Sequence, residues 1–221
     1  MPNVPEMSAT PRPKVLFGGA FDPVHLGHLI VARSVAEQMG YDRITLLLSG
    51  RAPHKGSAHA SAADRLAMLQ LAVRDDPLFE VCDLELQRTG PSYTYDTVGI
   101  LREQLGPDVP IRMIVGADMF RDLPLWHRAA QLVQCVRFVV ALRPPLAERI
   151  DEIVADVRRA LAPGTGRKLP EAIVATPLID VSSTEIRQRV AKGRPIRYLV
   201  PESVARHIAD NGLYARPRRA L

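Results

Sequence analysis

Cysteine and long hydrophobic runs are scarce in this sequence, and each shortage excludes a class of protein. The 221 residues include two cysteines, Cys82 and Cys135, which are too few for a disulfide framework and fit a reducing compartment. We expect both to be buried as small hydrophobic side chains. No apolar run approaches the roughly 18 residues of a membrane-spanning helix, and the N-terminal residues lack the apolar core of a secretory signal. These shortages predict a cytoplasmic protein with no membrane partner.

Positive charge is only slightly in excess. The formal net charge is +5 and the pI is about 9.5, but part of the basic charge lies in residues 215–221. The remaining excess suits a small phosphorylated ligand. The sequence has no recognisable nucleic-acid reader motif and no basic stripe with interleaved aromatic residues. A nucleic-acid-binding module is therefore the weakest interpretation, and we expect no nucleic-acid partner.

Alternating strand and helix patterns are abundant along the chain. Short apolar runs predict strands at residues 14–18, 43–49, 78–86, 111–116, 136–142 and 171–176. Helical spacing predicts helices at residues 26–39, 61–74, 92–105, 147–161, 183–192 and 201–211, with a broken helix over 118–134. The alternation predicts an α/β fold, a Rossmann-like doubly wound parallel sheet with helices on both faces and a short C-terminal helical segment. We expect one domain over residues 14–214, a disordered N-terminal extension over 1–13 and a basic tail over 215–221.

The stretch GGAFDPVHLGH follows the first predicted strand, at the edge where such sheets bind ligands. Gly18 and Gly19 have no Cβ atoms and allow a ligand to approach the backbone closely, and Pro23 forces a turn. His25 and His28 share one face of the first helical turn, where unpaired N–H groups favour an anion. We therefore expect both imidazoles to donate hydrogen bonds to a phosphate. A zinc site is less favoured, because no cysteine or acidic cluster stands nearby to complete four ligands.

A second stretch, VSSTEIR, has the pattern of a capped helix start. Ser182 or Ser183 can cap the helix, and Glu185 stands close to capping-box spacing. Arg187 lies in the first turn, where its guanidinium can bind phosphate oxygens bidentately. Taken alone, the stretch is typical of an ordinary helix N-terminus. Beside the histidine turn, phosphate binding is the stronger interpretation.

Three further regions are candidate contacts of a second substrate. Lys55 supplies a mobile positive charge after the second strand, although a solvated surface lysine is equally consistent with the sequence. The backbone N–H groups at Tyr93 and Thr94 stand at a helix start and can bind a carboxylate. Trp126 is the one tryptophan of the sequence, and a lone tryptophan is more often part of the core than of a site.

Together, GGAFDPVHLGH and VSSTEIR resemble the two halves of the signature of the nucleotidyltransferase superfamily, and residues 14–214 are similar to the bacterial nicotinate-nucleotide adenylyltransferases. The resemblance implies a transferase of NAD biosynthesis that moves the adenylyl group of ATP to nicotinate mononucleotide, forming deamido-NAD and pyrophosphate. It implies Mg²⁺ with ATP, held mostly by ATP and water. Nothing in the sequence requires a covalent intermediate, so we expect direct in-line attack. The oligomeric state is left open, with a homo-oligomer among the alternatives.

The resemblance also implies roles for individual residues. Catalysis would depend on His25, His28 and Arg187. The residues implied in ATP binding are Gly18, Gly19, Ala20, Phe21, His25, His28, Asp118, Ser182, Ser183, Thr184 and Arg187. The residues implied in mononucleotide binding are Lys55, Tyr93, Thr94, Trp126 and Arg143. No side chain is expected to ligate a metal, and for Asp118 the alternative role is a helix N-cap.

Three residues depart from the family's pattern. Ala20 stands where threonine or serine is frequent, so backbone N–H groups must replace one hydroxyl beside the phosphates. Leu48 and Ala52 stand where prolines are frequent, which affects the geometry of the acceptor loop.

Two other classes of function stay open. The first is a sister enzyme that adenylylates nicotinamide mononucleotide or phosphopantetheine, although phosphopantetheine enzymes are shorter and lack a motif like SYTYDT with a following tryptophan. The second is a non-catalytic nucleotide sensor on the same scaffold, against which the retention of both histidines and Arg187 argues. A site built from N–H donors favours the acid over the amide, because an amide NH₂ group would meet donors.

Overall fold

Six parallel strands form one sheet in the computed structural model, which describes residues 11–50, 58–144, 146–161 and 168–215. In chain order the strands are β1 (Lys14–Gly19), β2 (Ile44–Leu48), β3 (Phe79–Cys82), β4 (Ile111–Gly116), β5 (Arg137–Leu142) and β6 (Ala172–Ala175). Their order across the sheet is β3-β2-β1-β4-β5-β6, and every neighbouring pair is parallel. The doubly wound α/β fold predicted from the alternation is thereby confirmed.

Eight α-helices accompany the strands in the described part of the chain. They are α1 (Leu26–Met39), α2 (Ala62–Val73), α3 (Thr94–Leu105), α4 (Ala117–Arg121), α5 (Ala129–Cys135), α6 (Ile150–Leu161), α7 (Ser183–Ala191) and α8 (Glu202–Asp210). Short 3₁₀ turns precede α5 and α6, at Leu123–Leu125 and Leu146–Arg149. None of these described helices combines the length and the apolar character that crossing a membrane requires.

Local residues set most of the helix boundaries. Helix α2 begins after Ser61, whose hydroxyl accepts the N–H group three residues further on at 3.1 Å. Helix α1 ends at Gly40, which adopts the left-handed conformation with φ 66°. The broken helix predicted over residues 118–134 forms three short pieces, because Pro124 disfavours helix before it and Arg128 has φ 52°.

The strand predicted over residues 78–86 is followed by a turn. The pattern there predicts a strand or a strand with an extension, and β3 spans Phe79–Cys82. The chain then turns, and the N–H group of Leu86 donates to the carbonyl of Asp83 at 2.8 Å. An apolar alternation alone does not distinguish a strand from the half-buried turn that follows it.

The sheet is buried on both faces, and successive residues of β1 belong to two different cores. Val15 belongs to the core that includes Val35 of α1 and Met68 of α2. Leu16 belongs to the opposite core, which includes Leu101 of α3 and Phe138 of β5. Burial on both faces explains why the central strands are continuously apolar rather than alternating.

The strand order reverses between β1 and β4, the two central neighbours of the sheet. Strand β1 ends at Gly19 and β4 ends at Gly116, so the carboxyl ends of both strands lie at the same edge. In doubly wound sheets, ligands bind in the crevice at this reversal point. The loop that enters α1 and the start of α4 are therefore the first places to look for a site.

The cysteines correct one expectation from the sequence. Cys82 is half-buried at the end of β3, and Cys135 is exposed at the end of α5; both are free thiols. The prediction that both are buried is wrong, because Leu132 and Val133 provide the packing of this short helix and its last residue faces solvent.

Candidate active site

Two histidines mark the start of α1 and contact each other. His25 is the extended N-cap residue, with φ −143° and ψ 167°. Its N–H group donates to Nδ1 of His28 at 3.3 Å, and the imidazole rings stack with centroids 3.6 Å apart. Because Nδ1 of His28 accepts this hydrogen bond, Nε2 is the ring nitrogen that can donate.

The two imidazoles differ in their surroundings. His25 is 7% exposed, whereas His28 is half-buried. Burial first, and the nearby charge of Arg143 second, lower the pKa of His25 from 6.5 to about 4. His25 is therefore neutral at pH 7. A Cβ atom on Gly27 would lie 3.0 Å from Nδ1 of His25, so the glycine leaves room for this ring.

The end of β1 and the residue Phe21 form the packing beneath the histidine turn. Phe21 is buried, with φ 45°, and its ring packs edge-on against His28 with centroids 5.1 Å apart. A Cβ atom on Gly19 would lie 3.1 Å from the Phe21 ring, whereas one on Gly18 would meet only Met113, at 3.9 Å. The Phe21 ring therefore packs against His28, and Gly19 leaves room for this ring. Gly18 leaves the backbone of β1 open to a ligand.

Helix α7 is attached directly to the histidine turn, although about 160 residues separate them. Nη1 of Arg187 donates to the carbonyl of Asp22 at 2.7 Å, and the Ser183 hydroxyl donates to the carbonyl of Pro23 at 2.9 Å. Ser182 caps α7, and Nη2 of Arg187 donates to the Thr184 hydroxyl at 3.1 Å. The structure thus brings the two predicted phosphate-binding stretches to one place.

A groove of about 570 Å³ opens beyond the carboxyl ends of β4 and β5, beside the segment that leads into α7. It is lined by Asp118, Arg143 and Ser182, together with apolar side chains such as Leu178. Asp118 is not the N-cap of α4, because Gly116 occupies that position and Asp118 lies in the first turn. Arg143 was expected beside the mononucleotide, but it lines the same groove as two residues implied in ATP binding.

A second groove, of about 530 Å³, lies beside α7. Its lining includes Thr184 and Arg187 of α7, His59 from the segment before α2 and Tyr214 from the C-terminal segment. Among the residues that the structure describes, no three His, Cys, Asp or Glu side chains are grouped so that they could hold a metal ion. The polar groups of this region are mainly hydrogen-bond donors, which suits an anion.

Three of the five residues implied in mononucleotide binding, Tyr93, Thr94 and Trp126, lie at or near the start of α3. Tyr93 is the extended N-cap of this helix, and its ring lies 4.3 Å from that of His127. The neighbouring Trp126 is half-buried and packs edge-on against Phe138, 6.4 Å away. The first N–H groups of α3, beginning near Thr94, have no partners within the helix. Trp126 is thus partly a core residue and partly accessible.

Two residues of the predicted acceptor loop, Lys55 and Ala52, lie outside the described residues. Leu48 is fully buried at the end of β2, where it belongs to a core. The carbonyl of Ala20 accepts a hydrogen bond from Nη1 of Arg65 at 2.9 Å. Of the three departures from the family's pattern, two therefore have defined structural surroundings.

Some residues around the site had no recognised signal in the sequence. Glu85 is buried, and its carboxylate accepts the Thr97 hydroxyl at 2.8 Å and the Gly50 N–H group at 3.2 Å. Asp22 and Tyr214 form another such pair, 2.7 Å apart. These contacts join residues distant in sequence, and the one local indication was an aspartate placed before a proline in the histidine turn.

Comparison with known proteins first defines the class. The family described as cytidylyltransferase-like matches residues 16–189. A solved structure from Plasmodium falciparum, described as nicotinic acid mononucleotide adenylyltransferase complexed with NaAD, has the same fold, with a TM-score of 0.72 and 19% identity. That similarity covers 92% of this chain and 97% of the other.

Curated relatives then define the family more narrowly. A protein of Thermomicrobium roseum is 40% identical over 200 residues, which cover 90% of each chain. A protein of Marinobacter nauticus is 39% identical over 211 residues, which cover 92% of this chain and 97% of the relative. Both are named "Probable nicotinate-nucleotide adenylyltransferase". The chain belongs to the nicotinate-nucleotide adenylyltransferase family, which confirms the resemblance drawn from its two motifs.

Proposed function

We propose that the protein transfers the adenylyl group of ATP to nicotinate mononucleotide, forming deamido-NAD and pyrophosphate in NAD biosynthesis. The observation that carries this proposal is the attachment of α7 to the histidine turn through Arg187 and Ser183. It places two helix N-termini, two imidazoles and a guanidinium around one end of the sheet. Such a concentration of donors is suited to a triphosphate.

The two grooves suggest how ATP is oriented. We place the nucleoside in the groove lined by Asp118, Arg143 and Ser182, at the carboxyl ends of the strands, where such sheets bind ligands. The phosphates would then extend past the histidine turn to the start of α7, where Thr184 and Arg187 line the second groove. The positive charge of Arg143 lies near enough to His25 to affect its pKa, so Arg143 stands where the phosphates of both substrates would meet.

The acceptor site would lie at the start of α3. Its unpaired N–H groups near Tyr93 and Thr94 would bind the nicotinate carboxylate, with Trp126 beside the ring. An amide in place of the carboxylate would direct its NH₂ group toward these donors, and such mismatched polar contacts are strongly disfavoured. Lys55 remains a proposed contact of the mononucleotide phosphate.

The reaction needs no protein nucleophile. A phosphate oxygen of nicotinate mononucleotide attacks the α-phosphorus of ATP in line, and the bond from this phosphorus to the bridging oxygen of the β-phosphate breaks. Pyrophosphate leaves with the electron pair. The acceptor phosphate is already ionised, so catalysis depends on positioning and charge stabilisation. His28 and Arg187 would stabilise the negative charge that develops on the leaving pyrophosphate.

Magnesium is expected to enter with ATP. The donors around the proposed triphosphate site are imidazole, hydroxyl, guanidinium and backbone N–H groups, which bind phosphate oxygens rather than Mg²⁺. These residues fit a metal ion that is held by ATP oxygens and water. When bound, Mg²⁺ neutralises charge on the triphosphate.

Side-by-side kinetics with the two mononucleotides test the proposal. Pyrophosphate release from ATP is measured with nicotinate mononucleotide, with nicotinamide mononucleotide and with no acceptor. We expect release to require an acceptor and kcat/KM to be about 10²-fold or more higher for the acid. A preference for the amide would contradict the proposed substrate. No acceptor-dependent release would contradict the reaction and favour a nucleotide sensor.

A further inference from the structure

A buried carboxylate lies at the centre of the contacts that join the parts of the site. Asp22 is 5% exposed. It accepts the N–H group of His59 at 2.7 Å, that of Ala60 at 3.1 Å and the hydroxyl of Tyr214 at 2.7 Å. These donors come from the segment before α2 and from the C-terminal segment. Three separate parts of the chain therefore meet at one side chain.

The backbone at Asp22 is held by helix α7. Its carbonyl accepts Nη1 of Arg187, and the next carbonyl, that of Pro23, accepts the Ser183 hydroxyl. His25 follows only three residues after Asp22 and His28 three residues later. A displacement at Asp22 would consequently move the imidazoles relative to Arg187.

We propose that Asp22 is a positioning residue, and that Tyr214 acts through it to hold the histidine turn in register with Arg187. The inference rests on the proposed function, because its effect on catalysis presupposes that His28 and Arg187 bind one triphosphate. It adds a role for the C-terminal segment, which supplies a tyrosine hydroxyl to a carboxylate in the first phosphate-binding turn.

The donor pattern requires a carboxylate at this position. Oδ1 accepts from Ala60 and Tyr214, and Oδ2 accepts from the backbone of His59. An asparagine would direct its NH₂ group toward the Ala60 N–H group in one orientation and toward the His59 N–H group in the other. Each orientation opposes one backbone N–H group, which cannot act as an acceptor, so Asp22→Asn disrupts the arrangement while preserving the side-chain shape.

The partners of Asp22 are in suitable states. Burial, followed by the hydrogen bond to Asp22, raises the pKa of Tyr214, so the phenol stays protonated and donates. Arg65 is 4% exposed and donates from Nη1 to the carbonyls of Ala20 and Ser49 at 2.9 and 2.8 Å. Burial lowers the pKa of Arg65, and the nearby charge of Asp22 opposes this effect. The buried carboxylate is thus both hydrogen-bonded and electrostatically compensated.

The test compares Asp22→Asn, Tyr214→Phe and the double variant with two matched controls at exposed positions, Asp108→Asn and Tyr198→Phe. For each protein we measure kcat, KM for both substrates, the melting temperature and the NMR resonances of the histidine imidazoles. The imidazole resonances report the geometry of the turn without any substrate. Wild-type turnover, run in parallel, tests the proposed function separately.

We expect Asp22→Asn to lower kcat about 10²-fold and Tyr214→Phe to lower it about tenfold, with each KM changed less than about threefold. The double variant should match Asp22→Asn, because Tyr214 acts only through the carboxylate. The His28 resonances should shift in both variants and in neither control.

Three results would overturn the inference. One is a single variant with a lower melting temperature but a kcat within about twofold of wild type. Another is a double variant whose fold-loss in kcat is the product of the two single fold-losses. The third is an unchanged set of His28 resonances in folded Tyr214→Phe, which decides the matter even if Asp22→Asn does not fold. If wild type forms no deamido-NAD, the proposed function fails, whereas the resonances still test the positioning of the turn.

Discussion

Acid is expected to destabilise this protein through His25 in particular. The folded structure lowers the pKa of His25 from 6.5 to about 4, by burial and by the charge of Arg143. Above pH 6.5 the imidazole is neutral in the folded and unfolded chains, and its titration adds no pH dependence. As the pH falls from 6.5 toward 4, the unfolded chain binds a proton that the folded chain does not bind. The free energy of unfolding therefore decreases in this window.

The size of the effect follows from the depression of the pKa. Each unit corresponds to about 1.4 kcal/mol, so the lowering to about 4 corresponds to about 3 kcal/mol of stability lost by pH 4. Below that pH the folded protein also takes up the proton, and His25 contributes no further loss. This is an appreciable part of the roughly 5–15 kcal/mol that stabilises a typical domain.

Denaturant unfolding at a series of pH values measures the effect. Wild type is compared with His25→Asn, which retains a good N-cap residue but cannot titrate, and with His127→Asn at an exposed position as the control. Carboxylates shared by the three proteins cancel in the differences. Between about pH 7 and pH 4, the free energy of unfolding should fall by about 3 kcal/mol more in wild type than in His25→Asn. It should fall equally in wild type and His127→Asn. The reasoning would be refuted if the difference in free energy of unfolding between wild type and His25→Asn stayed constant with pH.

Two further predictions concern catalysis and the acceptor side. His28→Ala should remain folded and lose about 10²–10³-fold in kcat, because one preorganised donor to the phosphates is removed; near-normal turnover would remove the histidine from the mechanism. Gly50→Ala should destabilise the protein by about 1–3 kcal/mol in thermal unfolding, because its Cβ atom would lie 2.5 Å from the carbonyl oxygen of Glu85. Gly99→Ala, in open space within α3, is the control and should stabilise the protein by about 0.5–1 kcal/mol; equal effects at the two glycines would contradict the packing argument.

Local sequence patterns were sufficient to predict the helices and strands and to identify the family. Helix α1 begins at Leu26 and ends at Met39, as predicted, because Pro23 turns the chain shortly before it, His25 is its extended N-cap and Gly40 terminates it. The VSSTEIR stretch likewise contains its own helix cap at Ser182. Such signals lie within a few residues of the feature that they determine, so a single chain reveals them. The alternation of these elements predicted the parallel sheet for the same reason.

Burial at individual positions was less predictable. Cys135 is exposed although its residue type favours the interior, because the packing of α5 is completed by its other side chains. Phe21 lies in a predicted ATP-binding stretch, yet it is buried beneath His28. Residue type and neighbours in sequence do not specify which side of a turn faces the core.

The sequence by itself determined the α/β alternation, the histidine turn and the capped start of α7, since each is encoded by neighbouring residues. Only the tertiary structure decided that Arg187 bonds to the carbonyl of Asp22, and that Tyr214 bonds to its carboxylate. Those contacts join residues more than 160 positions apart, and they form because the strand order brings the ends of β1 and the C-terminal helices to one edge of the sheet. The crossover connections between parallel strands create that proximity, and a local pattern of residues does not predict it.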